Sequence, residues 1–307
     1  MARILFLSTF LFLSSLSFAQ TFGDKFTLIE TGCRELALNG GGISFINNAE
    51  ALNINPAAIA LNKHKIINYG HKLYFFNMKM ENFRLHFNLK EDLPLAFSEQ
   101  FMVVHKKGIN DYDDFGSINE NSPCKYALVS VKSAAGYSFI KNKHFFISSG
   151  VTFHFYTEEL NNKRFNNFNI QLGVLSSLKL TETIQPVLGK KINLGLRLDI
   201  FPLAVSPAVS VKWFELVLLE AGLRQIGFNS AGIQHGIMDL IYLAAQVTIK
   251  ERLTLAAGLS GRNSGSFSFG LSLVTFELDR GDLILDWAMK IGGPVKRDMN
   301  FGFSYAF

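Results

Sequence analysis

From residue 66 onward, apolar and polar residues alternate one by one in about fourteen short runs separated by turn-rich breaks, which predicts an all-β chain. Phe83, Leu85, Phe87 and Leu89 oppose Asn82, Arg84, His86 and Asn88. Ile192, Leu194, Leu196, Leu198 and Ile200 oppose Asn193, Gly195, Arg197 and Asp199. Between Ser266 and Leu273, Phe267, Phe269, Leu271 and Leu273 face away from Ser and Gly, and Leu253 to Leu259 alternates in the same manner. The last run sets Phe301, Phe303, Tyr305 and Phe307 against Asn300, Gly302, Ser304 and Ala306. A strand with one oily and one small or polar face lies between two different solvents, and a chain that finishes inside such a strand is expected to close a sheet.

Two architectures accommodate this pattern, a soluble sandwich and a membrane-spanning antiparallel β-barrel. The minor face separates them. A sandwich turns its polar face to water and favours Lys and Glu there, whereas these runs carry Gly and Ser mixed with occasional charges, as a curved barrel lumen requires. Connection lengths point the same way. With the first strand running outward, the external connections Gly108 to Cys124, Thr157 to Asn167 and Ile226 to Met238 are expected to be long. Lys141 to Lys143 and Lys250 to Arg252 are expected as short turns at the opposite end, which also holds both chain ends if the strand count is even. Phe201 to Pro207 and Trp213 to Leu216 have the weakest pattern.

Residues 20–65 lack the two-residue period and contain Gly40-Gly41-Gly42. Asn48 is placed to cap Ala49 to Leu52, and Asn55-Pro56 forms a cap and first-turn pair ahead of Ala57 to Leu61. Too small to hold a core of its own, this stretch is expected to act as a hatch inside the lumen or across its mouth. The organisation is therefore 1–19 as a signal peptide, 20–65 as hatch and 66–307 as barrel.

Composition strengthens the membrane reading. The chain is 48% hydrophobic with 30 Phe in 307 residues, yet its apolar residues are spread out rather than gathered into a helix-length segment. Arg3, the apolar run Ile4 to Leu13 and Ser17-Phe18-Ala19 form a secretory signal with cleavage expected after Ala19, and without a cysteine following that site no lipid tether is expected. Net charge is +5 with scattered Lys and Arg, which argues against nucleic acid as a partner. Cys33 and Cys124 are the only cysteines, and a link between them would tie the hatch to a long loop.

The hatch sequence resembles that of the FadL-like outer-membrane barrel superfamily, and within it the PorV/PorQ-like branch. The resemblance rests on Gly32-Cys33-Arg34-Glu35-Leu36-Ala37-Leu38-Asn39-Gly40-Gly41-Gly42, then Asn48-Ala49-Glu50-Ala51-Leu52, then Asn55-Pro56-Ala57. Asn39 departs from the usual Gly. The resemblance implies a fourteen-stranded barrel in a bacterial outer membrane, with Gly32, Arg34, Gly40, Gly41, Asn55, Pro56 and Ala57 as the hatch motif.

No nucleotide loop, metal cluster or nucleophile elbow is present, so neither enzyme activity nor a cofactor is expected. Arg84, His86, Arg197, Asp199, Asp286 and Lys290 are expected to face the lumen as structural charges or as ligand or plug contacts. Of these, Arg84 and Arg197 suit a carboxylate, because a guanidinium grips two oxygens. Trp213, Trp287, Tyr69, Tyr74 and Tyr305 are candidates for aromatic girdles. The expected partners are outer-membrane lipid and the barrel-assembly machinery. Beyond these, the PorV/PorQ resemblance implies an accessory component of protein export that binds secretion-system proteins, and the wider superfamily implies a channel for hydrophobic small molecules such as fatty acids. A purely structural barrel is the third possibility. Because the chain spends nearly its whole length on wall and hatch, the export role is the favoured expectation.

Overall fold

A computed structural model describes residues 30–307 except 47, 75–77, 90–93, 113–117, 143, 161–162, 181–188, 201–203, 214–215, 224–225, 228–240, 262–264, 279–280 and 293–296. The expected signal peptide and the first ten hatch residues lie outside this set. Fourteen antiparallel strands form a closed membrane-type barrel. They are β1 (Ile66–Tyr74), β2 (Met78–Asn88), β3 (Leu95–Tyr112), β4 (Ile118–Lys141), β5 (Phe145–Leu160), β6 (Lys163–Lys179) and β7 (Lys191–Asp199). The second half comprises β8 (Ala204–Trp213), β9 (Val217–Leu223), β10 (Ile241–Ile249), β11 (Leu253–Ser260), β12 (Ser266–Leu278), β13 (Gly281–Gly292) and β14 (Arg297–Ala306). Ile226–Gly227 continues β9 along β8.

Each strand pairs with its sequence neighbours, and β14 returns to β1 with Ile66 opposite Ala306 and Tyr69 opposite Phe303. The terminal run thus seals the cylinder. Closure leaves no strand edge, which is what lets a sheet satisfy every backbone group in lipid. Phe301, Phe303 and Phe307 lie on the outer surface among many others, Phe155 being 57% and Phe139 61% exposed. Such side chains are stable only against hydrocarbon, where a fully buried Phe gains roughly 1.5–3 kcal/mol relative to water. Replacing Phe303 by Lys is therefore expected to cost about 2–4 kcal/mol of folding free energy near mid-bilayer. Urea-induced unfolding in lipid vesicles checks the value.

The connections depart in part from expectation. The turns after β4 and β10 are short, and Lys250 and Glu251 take positive φ of 49° and 59° in the latter. At the opposite end, Thr157 to Asn167 is not a loop. Strand β5 continues to Leu160 and β6 begins at Lys163, with Thr157 paired to Asn166. Gly108 to Cys124 likewise consists largely of the ends of β3 and β4, with register shifts near Ile109. The β5–β6 ladder extends past the oily band, so its outward positions Thr157, Glu159, Arg164 and Asn166 are polar and the sequence there looks like loop. Most of Ile226 to Met238 lies outside the described residues. Pro207 sits within β8 opposite Leu196, a residue that cannot donate to a ladder and so obscured that strand.

Hatch residues 30–62 fill the lumen. Their helices are α1 (Cys33–Ala37), α2 (Ala51–Ile54) and a 3-10 helix, Pro56–Leu61. The helix at Cys33 has no counterpart in the sequence reading, and the Ala57 segment is a 3-10 helix. The larger apolar core lies here, between hatch and wall. Leu36, Leu38, Ile43, Ile46, Leu52, Ile54 and Ile59 are all buried and pack against small wall residues such as Ala96, Ala134, Ala208 and Ala288.

Candidate functional site

Glycine sets how closely the hatch approaches the wall. Gly136, Gly150 and Gly173 face the lumen on three successive strands and stand opposite one another, Gly136 to Gly150 and Gly150 to Gly173. A Cβ on Gly150 would lie 2.3 Å from the Pro56 carbonyl, one on Gly173 2.1 Å from Asn55 Oδ1, and one on Gly195 2.4 Å from the Ile43 carbonyl oxygen. Across the barrel, a Cβ on Gly258 would lie 2.4 Å from the Leu38 carbonyl. The inward glycines that suggested tight curvature therefore form a girdle against which hatch backbone lies directly.

Polar groups then fasten the hatch. Asn55 accepts from Ala57 N at 3.1 Å, capping the 3-10 helix, and donates to the Ile43 and Val174 carbonyls at 2.8 and 3.2 Å. The Pro56 ring starts that helix, and Ala57, fully buried, presents its carbonyl to Ser148 at 2.9 Å. Glu50 accepts from the backbone N–H groups of Arg34 and Glu35 at 3.2 and 2.8 Å, holding a carboxylate at the start of α1. Gly32 admits that carboxylate, since a Cβ there would meet its carbon at 2.0 Å. Arg34 reaches across to Gln246 at 2.9 Å. Asn39 and Gly40 both take positive φ, 55° and 76°, so Asn serves at the position where Gly is usual. Gly41 packs beside Tyr242, whose hydroxyl donates to Glu220 at 2.7 Å. Glu220 also accepts from Gly42 N, Ser44 N and the Ser44 hydroxyl, so one wall carboxylate anchors the Gly-rich turn through three donors while Tyr242 holds it from the wall.

The structure places Arg84, His86, Arg197, Asp199, Asp286 and Lys290 on the inner face. Arg84 donates to Asn68 and Thr31, Arg197 to Asp199 and the Asn53 carbonyl, and Lys290 pairs with Glu30 at 3.0 Å. His86 bonds Ser98 at 2.8 Å, and Asp286 accepts weakly from Ser304. Both arginines thus contact the hatch. Cys33 is a free thiol against Gly302, so the possible link to Cys124 is not made, and burial pushes the thiol well above its ordinary range. Tyr69 packs on Phe303 at 5.4 Å and Trp287 on Phe269 at 5.4 Å, while Tyr305 stacks on Phe307 at 5.3 Å. Trp213 ends β8. The Tyr74 side chain lies outside the described residues.

Beyond the hatch, toward the end away from Lys65 and Phe307, the inner wall changes character. A polar layer comes first. Lys132 donates to Asn53 at 2.6 Å, His154 bonds Ser130 at 2.8 Å, and Gln100 is buried with neither amide atom bonded among the described residues. Farther out, Met78, Met80, Met102, Val104, Tyr126, Leu128 and Tyr156 form a second buried apolar cluster on β2 to β5. Met80, Val104 and Leu128 lie side by side in register. The sequence reading missed this patch. Its signal is an inversion at the start of β2, where Met78 and Met80 turn inward and Lys79 and Glu81 outward. Methionine and tyrosine give an adaptable apolar surface with polar tips. These side chains are packed together with at most 5% of any of them exposed, and the polar layer lies beneath them. Among the described residues no group of His, Cys, Asp and Glu could hold a metal.

No family profile matches the chain, and no curated protein sequence does. Solved structures do. The Ralstonia pickettii toluene transporter TbuX aligns over 92% of this chain and 99% of its own at a TM-score of 0.58 with 11% identity. The Pseudomonas putida toluene transporter TodX aligns over 90% and 97% at 0.59, also with 11% identity. A monoaromatic hydrocarbon channel, CymD, aligns over 91% and 97% at 0.56 with 10% identity. The closed fourteen-stranded barrel described above is the fold this chain shares with these outer-membrane proteins.

Proposed function

We propose that this chain is an outer-membrane channel of FadL type that admits hydrophobic small molecules, with its termini facing the periplasm. The observation that carries the reading is the Met78–Tyr156 cluster, an apolar inner wall at the outer end of the lumen, where a water-filled porin would be polar. The polar layer beneath it, with Gln100, Lys132 and His154, suits a molecule that also carries a hydrogen-bonding end. The similar folds of toluene transporters and an aromatic hydrocarbon channel support the same class of cargo. The barrel acts without chemistry of its own: it offers a greasy recess to a molecule poorly soluble in water and closes the way to ions with the hatch.

Binding of toluene or a medium-chain fatty acid to the purified protein, measured by displacement of a fluorescent fatty acid, tests the reading. Val104→Glu puts a charge into the apolar wall and is expected to weaken binding about tenfold or more. Unaltered affinity, or no binding by the parent protein, refutes the proposal. The export-accessory role has the Gly32–Ala57 motif as its support. A secretion protein recovered with the barrel from native membranes, together with absence of hydrophobic ligand binding, would favour it instead.

A further inference from the structure

At the end of the barrel away from Lys65 and Phe307, the outer face of β1 to β3 carries two polar rows bordering an aromatic band. In the row nearest the rim, Lys79 stands opposite Leu73 on one side and His105 on the other, and Lys79 and His105 are both exposed. One step nearer the middle of the wall, Glu81 stands between His71 and Val103. The band comes next. Tyr69, Phe83 and Phe101 lie in register, with Phe303 and Phe301 beside them on β14. The four phenylalanines are 42–49% exposed. All of these side chains share one face of the sheet, the face turned away from the lumen.

The carboxylate in this patch is engaged within the wall. Glu81 bonds His71 Nδ1 at 2.7 Å and accepts from the Tyr69 hydroxyl, whereas Lys79 and His105 have no side-chain partner among the described residues. The patch therefore presents cation and N–H donor to whatever lies outside it. Charge on the outer face of a barrel is costly at mid-bilayer and tolerated near the boundary, so the two rows mark the level at which hydrocarbon gives way to headgroups. Tyrosine favours that same level. Among the described residues the far wall has no such row: Leu198, Val205, Leu223, Ile241 and Leu259 take the outward positions at this end of β7 to β11. A lysine stem can lie along apolar wall while its ammonium reaches a headgroup, and acyl chains below would rest on the phenylalanines. We propose that the outer face of β1 to β3 binds the phosphate of an anionic lipid in the leaflet at this end, with Lys79 and His105 taking the headgroup and Phe83, Phe101, Phe301 and Phe303 bearing the acyl chains. The membrane setting is that of the proposed function above.

The experiment places a photoreactive benzoylphenylalanine at position 83 of the full chain and inserts it in vesicles of equimolar phosphatidylglycerol and phosphatidylcholine. Crosslinked lipid is then identified by mass. A lysine near an anionic surface contributes roughly a fivefold preference. Capture of phosphatidylglycerol over phosphatidylcholine by about fivefold is expected at position 83, and equal capture when the same probe replaces Leu259 on the far wall. The double variant Lys79→Gln, His105→Gln is expected to bring position 83 to equal capture, and Lys79→Arg to keep the preference. Heat-dependent mobility on gels reports whether each barrel has folded and inserted. Equal capture at position 83 of the inserted parent chain, or a preference that persists in the Gln variant, overturns the proposal. A preference abolished by millimolar glycerol 3-phosphate does so too, assigning the patch to soluble phosphates. Failure of the parent chain to insert at all would overturn the outer-membrane reading itself, and the lipid site with it.

Discussion

Excision of Gln20–Asn62 is expected to convert a barrel that holds a planar bilayer near baseline current into one that conducts ions steadily. The closed wall is made by strand pairing that does not involve this stretch: β1 begins at Ile66, and Lys65 exchanges backbone hydrogen bonds with Phe307. The lumen left behind is lined at hatch level by Gly, Ala, Ser, Asn, Gln and charged residues, a surface that accepts water readily. The apolar groups that now occupy it, from Leu36 to Ile59, would be removed with the hatch. Channel recordings on the refolded variant give the measurement. A variant that folds, as judged by heat-dependent gel mobility, and still blocks current would show that something other than the hatch seals the barrel.

The second large effect concerns a single wall residue. Gly150→Leu is expected to dislodge the hatch locally or to destabilise the protein by about 1–3 kcal/mol, the usual range for overpacking. The neighbour a side chain would meet is main chain, the Pro56 carbonyl at 2.3 Å, which cannot rotate away as a side-chain end can. The same strain would bear on Gly136 and Gly173, which contact the same turn. Cys33 provides the readout. In a Cys124→Ser background its buried thiol should resist maleimide in the parent protein and react at least roughly tenfold faster in the Leu variant, as opening exposes it and relieves the burial that raises its pKa. Parent-like labelling together with unaltered urea midpoint would show that this position is not reserved for hatch backbone.

Much of the wall was legible because lipid imposes a strict rule on it. Every second residue of Ile192–Ile200 or Phe301–Phe307 must tolerate hydrocarbon, and a two-residue period survives any detail of packing. The rule lapses where strands leave the bilayer. Thr157–Asn167 has polar outward positions and so resembles a loop, although its residues pair across a tight hairpin. Inward positions were read correctly as small and polar, but their reason was not. Curvature alone explains Gly150 or Gly173 adequately until Pro56 and Asn55 are seen resting on them, contacts separated by roughly a hundred residues in sequence. The hatch itself was marked by its caps, since Asn55-Pro56 carries local chemistry, whereas α1 lacks a Ser, Thr, Asp or Asn cap and is held by Glu35 in its own first turn together with Glu50 from sixteen residues away. The Met78–Tyr156 patch went unseen because its apolar residues share a strand with the lumen charges, and only the three-dimensional register shows that they gather at one end.

The glycine girdle also constrains how this molecule can change over generations. A wall position that gains a methyl group must find the hatch already drawn back at the same place, and a hatch residue that grows must find a neighbour that has shrunk. Neither stretch is free to drift alone. Libraries randomised jointly at Gly150, Gly173, Pro56 and Ala57 should yield surviving variants in matched pairs, while randomising either side by itself should return almost only the parental residues.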